Sequence, residues 1–190
     1  MIRLAVIGDI GSGKSYVAKK FGFPVFNADK EVTQLYKKNR KCFNRLKRIL
    51  PKYVNSFPIK KSKLTEAVLT NKKNLKKIIK VIHPQIRREM NNFSKKNKNK
   101  KFVVLDIPLL LENKINKKKD ILIFIEARKK EINKRLKKRS NIKIINRLRK
   151  LQLPLEFKKK KSHYIIENNF KDISVKKNVK RVMEKILLNA

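Results

Sequence analysis

The sequence predicts an α/β fold, a parallel five-stranded sheet with helices on both faces, and three observations carry that expectation. Apolar runs of strand length alternate with helical stretches. Two of the runs, Phe102-Val103-Val104-Leu105-Asp106 and Ile121-Leu122-Ile123-Phe124-Ile125, are almost continuously apolar, as strands covered on both faces are. Three of the four glycines fall in one short window, Gly8-Asp9-Ile10-Gly11-Ser12-Gly13-Lys14-Ser15, between a strand and a helix.

In order, the first strand is Ile2 to Ile7. The glycine window follows and has the spacing G-x-x-x-x-G-K-S, a phosphate-binding loop in its confirming context. Its glycines let successive backbone N–H groups turn inward on a polyanion, and the next helix adds its positive end. Lys14 reaches β- and γ-phosphates and Ser15 is placed to ligate Mg²⁺, with Gly8, Gly11, Ser12, Gly13 and Tyr16 completing the nucleotide site. The first helix is Lys14 to about Phe21. Pro24 to Asn27 is a short second strand, and the chain turns helical from Ala28. From about Lys41 to Lys100 no strand is evident; basic helical stretches punctuated by Pro51, Pro58 and Pro84 read as an insertion. Strands three and four are the two apolar runs. Arg135 to Lys161 is basic and helical, divided by Pro154, with the pattern of a mobile lid. Tyr164-Ile165-Ile166 is the fifth strand, and Val175 to Leu188 a final amphipathic helix.

With only 14 Asp+Glu, each acidic residue is informative. Asp29 follows the second strand by two residues, where open α/β sheets bind ligands. It is a candidate general base or, equally, a helix N-terminal acid. Asp106 ends the third strand and either holds Mg²⁺ through water or caps the next segment. Leu109-Leu110-Leu111 after that strand is read as core. His83 before Pro84 is read as a turn residue, and His163 as structural; neither has partners at metal-ligand spacing. Arg135, Arg139 and Arg147 recur near helical spacing and either neutralise a transferring phosphoryl group or form a solvated basic face. The charge runs Asn97 to Lys100 and Lys158 to Lys161 are read as solvated.

Length and composition bound the rest. At 190 residues and 41% hydrophobic, the chain is long enough for one domain with a core. Net charge is +40, but the lysines are dispersed and accompany many asparagines and isoleucines, all with A/T-rich codons. Composition rather than a specific nucleic-acid surface is therefore the reading. The lone Cys42 excludes an intramolecular disulfide and fits a reducing, cytoplasmic setting. No run approaches membrane-span length, and the first strand leaves no room for a signal peptide.

Together these segments resemble the dephospho-coenzyme A kinase family, in order and over nearly the whole chain. Besides the loop, Asn27-Ala28-Asp29 matches D-A-D, and His83-Pro84-Gln85-Ile86 matches a histidine-proline pair. Asp106-Ile107-Pro108-Leu109-Leu110-Leu111-Glu112 matches D-V-P-L-L-F-E. Gln152-Leu153-Pro154-Leu155-Glu156 and Tyr164-Ile165-Ile166-Glu167-Asn168 match the last two segments. The resemblance implies a P-loop kinase core with a helical substrate-binding insertion and a helical lid. It implies transfer of the ATP γ-phosphoryl to the ribose 3′-hydroxyl of dephospho-coenzyme A, with ATP and Mg²⁺. Asp29 would be the base, with Lys14 and a lid arginine such as Arg139 on the phosphoryl group, Ser15 and Asp106 on the metal, and His83, Arg87 and Leu109 on the acceptor. Three positions depart from the pattern: Asn27 replaces an aspartate, Asp9 stands where glycine is usual, and Phe170 replaces a small residue near the adenine site. A carboxylate at position 9 is expected to point away from the nucleotide. The alternatives are another P-loop nucleoside or nucleotide kinase and a nucleic-acid-binding NTPase.

Overall fold

A computed structural model describes residues 1–138 and 142–189. The chain divides into two compact units, Met1–Asn27 with Asn97 onward, and Ala28–Lys96.

The first unit is built on five strands: β1 (Ile2–Gly8), β2 (Val25–Asn27), β3 (Phe102–Asp106), β4 (Ile121–Glu126) and β5 (Tyr164–Glu167). Their order across the sheet is β2-β3-β1-β4-β5, and every pairing is parallel. The central strands are buried along nearly their whole length, which is why they read as continuous apolar runs rather than alternating ones. One face of the sheet is covered by α1 (Lys14–Lys20) and α9 (Asp172–Leu188). Leu4, Val6, Val104, Ile123 and Ile125 pack there against Val17, Ala18, Val175, Val179 and Ile186. The alternate residues Ala5 and Ile7 are buried as well. Strand register places Val6 beside Asp106 and Gly8 beside Ile125, so the carboxyl ends of β1, β3 and β4 lie together.

Away from that edge, Arg3 and Asp120 form a buried ion pair, Arg3 Nε donating to Asp120 Oδ1 at 2.6 Å. The Lys117 N–H donates to Asp120 Oδ2 at 2.8 Å, so the carboxylate is both paired and hydrogen-bonded, the condition for burying it at tolerable cost. After β4 come α6 (Lys129–Lys137), α7 (Ile142–Arg149) and α8 (Leu155–Lys160). Ile132, Leu136 and Ile145 form a small core of their own, packed against Ile10 of the phosphate loop. Pro154 caps α8 and divides it from α7, as its position in the sequence suggested. No described helix is long and apolar enough to cross a membrane.

The second unit is helical: α2 (Ala28–Lys38), α3 (Arg40–Ile49), α4 (Lys61–Thr70) and α5 (Lys72–Lys96). It takes in the helices expected from Lys41 onward, together with α2. Pro51 and Pro58 do fall between helices, but Pro84 lies inside α5. The turn expected at His83-Pro84 is therefore corrected to mid-helix. Ile78, Ile82, Ile86 and Met90 form a buried stripe that runs past the proline, while Pro84 itself is exposed. Packing of that stripe from Ile78 to Met90, about 18 Å of the helix, outweighs one missing backbone hydrogen bond. Asn39 caps α3 by accepting from the Cys42 N–H at 2.8 Å. Burial pushes the Cys42 thiol up to about 11, so this cysteine is packing and not a nucleophile.

Candidate active site

The phosphate loop leaves β1 at Gly8 and enters α1 at Lys14. Two of its glycines are required by close approach. A Cβ at Gly8 would lie 2.6 Å from the Ile125 carbonyl oxygen, and one at Gly13 would lie 2.3 Å from the Asn168 amide nitrogen. Gly13 also sits at φ 86°, the left-handed region that L side chains avoid. It caps α1 with no side-chain hydrogen bond, which leaves the first N–H groups of the helix for an anion. The loop is held in shape by the Ser12 N–H donating to the Asp9 carbonyl at 3.2 Å. Lys14 Nζ folds over it, donating to the Asp9 carbonyl at 2.7 Å.

Asn168, just past β5, supports the loop from one side. Its amide donates to the Ser12 carbonyl at 2.8 Å, and its oxygen accepts the Phe170 N–H at 2.9 Å. Asn168 is buried, and sequence reasoning named it only as the end of a matched segment. Phe170 itself adopts φ 63°, and the Arg135 guanidinium lies 4.4 Å from its ring centroid. These two residues, with Glu131, Lys134 and Lys138, line a cavity of about 370 Å³. Tyr16 is tied to α9, its hydroxyl donating to the Asp172 carboxylate.

The segment from α7 to α8, expected from the sequence to be a lid, supports the loop from the other side, through charge. Asp9 turns its carboxylate to Arg149, whose Nη2 lies 2.9 Å from Asp9 Oδ2. The Gln152 amide nitrogen reaches Asp9 Oδ1 at 3.1 Å while its oxygen accepts from Lys158 at 3.2 Å, the orientation that satisfies both ends. Lys158 Nζ in turn meets Glu112 Oε1 at 3.0 Å, and the same oxygen accepts the Leu153 N–H at 3.0 Å. The Lys158 and Glu112 side chains are only 3% and 8% exposed. The expectation that Lys158 to Lys161 is solvated is thus corrected at its first residue, because a buried partner outbids water for that ammonium. Lys159 is paired too, with Glu126 at 2.7 Å.

Of the other expected site residues, Asp106 is buried at the end of β3 and accepts from the Asn27 amide. Asn27 therefore bonds this carboxylate where an aspartate would repel it. Ser15 is exposed at the start of α1. Among the described residues no cluster of three or more His, Cys, Asp or Glu could hold a metal by itself. A hydroxyl, one carboxylate and substrate phosphates suit Mg²⁺, which keeps much of its water. The leucine triplet is not uniformly core: Leu110 is buried, Leu109 and Leu111 are half-buried, and Leu109 is held at φ 56°. Its carbonyl accepts from the Asn113 N–H and side-chain amide.

Arg135 and Arg147 do not share a helix, so the helical-spacing argument for a single arginine face is corrected: Arg135 belongs to α6 and Arg147 to α7. Arg139 lies outside the described residues. Arg149, which sequence spacing did not single out, meets the phosphate loop through Asp9; in so basic a segment nothing local distinguishes it. His163 is structural, its Nδ1 accepting the Leu122 N–H at 2.9 Å. Asp29, His83 and Arg87 belong to the helical unit. Asp29 lies exposed in the first turn of α2, and His83 and Arg87 are one turn apart on α5. Burial, then the nearby Arg87 charge, pulls the His83 imidazole below its ordinary value.

The family model described as "Dephospho-CoA kinase" matches residues 2–175. A dephospho-CoA kinase of Wolbachia pipientis wMel is 33% identical over 98% of both chains. One of Zymomonas mobilis is 33% identical over 59% of this chain and 58% of its own. Among solved structures, TT1252 from Thermus thermophilus superposes with a TM-score of 0.76 at 26% identity, covering 99% of this chain and 97% of that one. The Campylobacter jejuni dephospho-CoA kinase shares the fold, with a TM-score of 0.63 at 24% identity over 97% and 96% of the two chains. A loop built to hold phosphate, on a parallel sheet with these relatives, places the chain in the dephospho-CoA kinase family.

Proposed function

We propose that the protein moves the γ-phosphoryl group of ATP to the ribose 3′-hydroxyl of dephospho-coenzyme A, giving coenzyme A and ADP. The observation that carries the reading is the phosphate loop, with Gly8 and Gly13 where a Cβ would collide with the Ile125 carbonyl and the Asn168 amide, Lys14 folded over it and Asn168 bracing it. The family match supplies the acceptor.

On this reading the loop N–H groups and Lys14 bind the β- and γ-phosphates of ATP. Lys14 exchanges its bonds to the loop carbonyls for bonds to phosphate, so its charge is spent on the transferring group. Ser15 and Asp106 would hold Mg²⁺, which when bound neutralises charge shared by the β- and γ-oxygens. Asp29 takes the 3′-hydroxyl proton as the ribose oxygen attacks phosphorus and the bond to the ADP oxygen breaks. Support for Asp29 comes from its place two residues past β2 and from the matched D-A-D segment. His83, Arg87 and Leu109 bind the acceptor.

The test is ADP release with dephospho-coenzyme A as acceptor, and ³¹P or mass detection of coenzyme A. Product formation is expected only with Mg²⁺ and ATP present. Turnover of a nucleoside monophosphate in its place, with none of dephospho-coenzyme A, would transfer the protein to the nucleotide-kinase alternative.

A further inference from the structure

A carboxylate in a phosphate loop is an electrostatic liability. Asp9 is the loop's acidic residue, and facing outward it would repel the polyanion the loop binds. The structure gives it a counter-ion from far along the chain. Arg149, the last residue of α7, pairs with Oδ2 at 2.9 Å. Oδ1 accepts the Ile10 N–H at 2.6 Å and the Gln152 amide nitrogen at 3.1 Å. The Asp9 carbonyl meanwhile accepts from Lys14 at 2.7 Å. Two cations, one from the loop and one from the lid, are thus drawn to a single residue. The two side chains of the ion pair keep 32% and 15% of their exposure. The pair is part-buried yet still reached by water, so its contribution to folding is modest and it also acts on whatever binds beside it.

We propose that Asp9 is a positioning residue that acts through Arg149. Its carboxylate sets the lid arginine next to Lys14, at the loop that receives the terminal phosphates of ATP on the function proposed above, and the arginine masks the carboxylate from the nucleotide. Arginine suits the role because its planar fork keeps donors free for phosphate oxygen while one of them holds the carboxylate. When the phosphates arrive, they compete with Asp9 for the same guanidinium. Asp9 thereby supplies both the address at which Arg149 waits and the reason the arginine is needed.

The two halves of the pair predict unequal effects on nucleotide affinity, a loss for the arginine and none for the carboxylate, which a purely structural contact does not. Binding of Mg–ATP to the full-length protein is measured by titration calorimetry without acceptor, and turnover is measured separately with dephospho-coenzyme A. Arg149→Ala exposes the carboxylate and is expected to weaken ATP about tenfold, a coupling typical of residues in contact, and to lower kcat. Arg149→Lys retains the mask and is expected to keep ATP affinity, which separates charge loss from misfolding. Asp9→Asn keeps the Ile10 bond and is expected to leave ATP binding equal or tighter while kcat falls, because the arginine is no longer held. The decisive protein is Asp9→Asn with Arg149→Ala. Its ATP affinity is expected to return to within about twofold of the unmodified protein, with kcat remaining at the Arg149→Ala level. A double variant that binds ATP as weakly as Arg149→Ala, or more weakly, overturns the proposal, as does an Asp9→Asn protein with unchanged kcat. If the unmodified protein fails to bind ATP in the titration, the kinase function falls with it, whereas ATP binding without recovery in the double variant removes the Asp9 assignment alone.

Discussion

In the sheet unit, the residues proposed to hold phosphate are fixed by bonds within one short stretch of chain: Ser12 to Asp9, Lys14 to Asp9, and Gly13 at the cap of α1. Of the residues proposed for the acceptor side, Leu109 also belongs to the sheet unit, but the proposed base Asp29, in the first turn of α2, and His83 and Arg87, one turn apart on α5, are ordinary helix positions of the helical unit. The contrast is chemical. Phosphate is recognised by backbone N–H groups, and few glycine patterns can turn them inward, so the sequence must carry a signature. A ribose and its substituents are recognised by side chains brought together from distant elements, which imposes no local spacing.

Two substitutions with the largest expected effects test whether the units divide the work this way. Asp29→Asn is nearly isosteric and removes the base. Turnover is expected to fall about 10²–10⁴-fold while Mg–ATP affinity in a titration stays unchanged. Full activity would leave Asp29 a helix N-terminal acid. Lys14→Ala is expected to cost about 10²–10³ in kcat and to weaken ATP as well, since the lysine meets both ground-state and transferring phosphates. Near-normal kcat in a folded Lys14→Ala protein would remove the phosphate-loop reading and with it the contrast.

Within the sheet unit a second contrast follows, between the two supports of the loop. Asn168 braces it with neutral hydrogen bonds, and the lid braces it with a chain of charges ending in the buried Lys158–Glu112 pair. Glu112→Gln keeps the acceptor for Leu153 but leaves a buried ammonium without its counter-charge, an expected loss of about 3 kcal/mol in denaturant unfolding. Adding Lys158→Met, which removes the stranded charge, is expected to recover most of it. If the pair is dispensable, Glu112→Gln will unfold at the same midpoint as the unmodified protein. Asn168→Ala strands the Ser12 carbonyl and should cost less, about 1–3 kcal/mol, with ATP affinity falling in parallel and little salt dependence.

These two supports also mark what was legible in the sequence. The strands were, because β1, β3 and β4 are buried along nearly their whole length and the stretches Leu4 to Ile7, Phe102 to Leu105 and Ile121 to Ile125 are continuously apolar. The phosphate loop was, for the reason given above. The Lys158–Glu112 pair was not: a lysine in a run of lysines looks solvated, and only the fold brings it to a carboxylate 46 positions away. Arg149 was hidden the same way among basic neighbours, and Pro84 misled because a proline's local preference was weaker than the Ile78 to Met90 stripe that packs α5. The residues proposed for the acceptor come from resemblance alone, since His83 and Arg87 lie one turn apart on a helix with no spacing peculiar to catalysis.

The smallest expected effect bears on that last group. Burial and the Arg87 charge hold the His83 imidazole below its ordinary value, about 6.5, so in the folded chain it stays neutral at pH values where the unfolded chain takes up a proton. The unfolded state then binds more protons, and stability falls as pH drops through about 6.5, levelling below the folded value. His83→Gln is expected to flatten the decline in Tm between about pH 7 and pH 5. An acceptor bearing phosphate groups beside His83 would favour the protonated ring and oppose its depressed value. Saturating dephospho-coenzyme A is therefore expected to shallow the slope in the unmodified protein and to leave the slope of His83→Gln alone. Thermal melts at stepped pH, with and without the acceptor, read both effects. An unmodified slope that does not change on adding acceptor and stays steeper than that of His83→Gln would place His83 in the packing of α5 and outside the acceptor site.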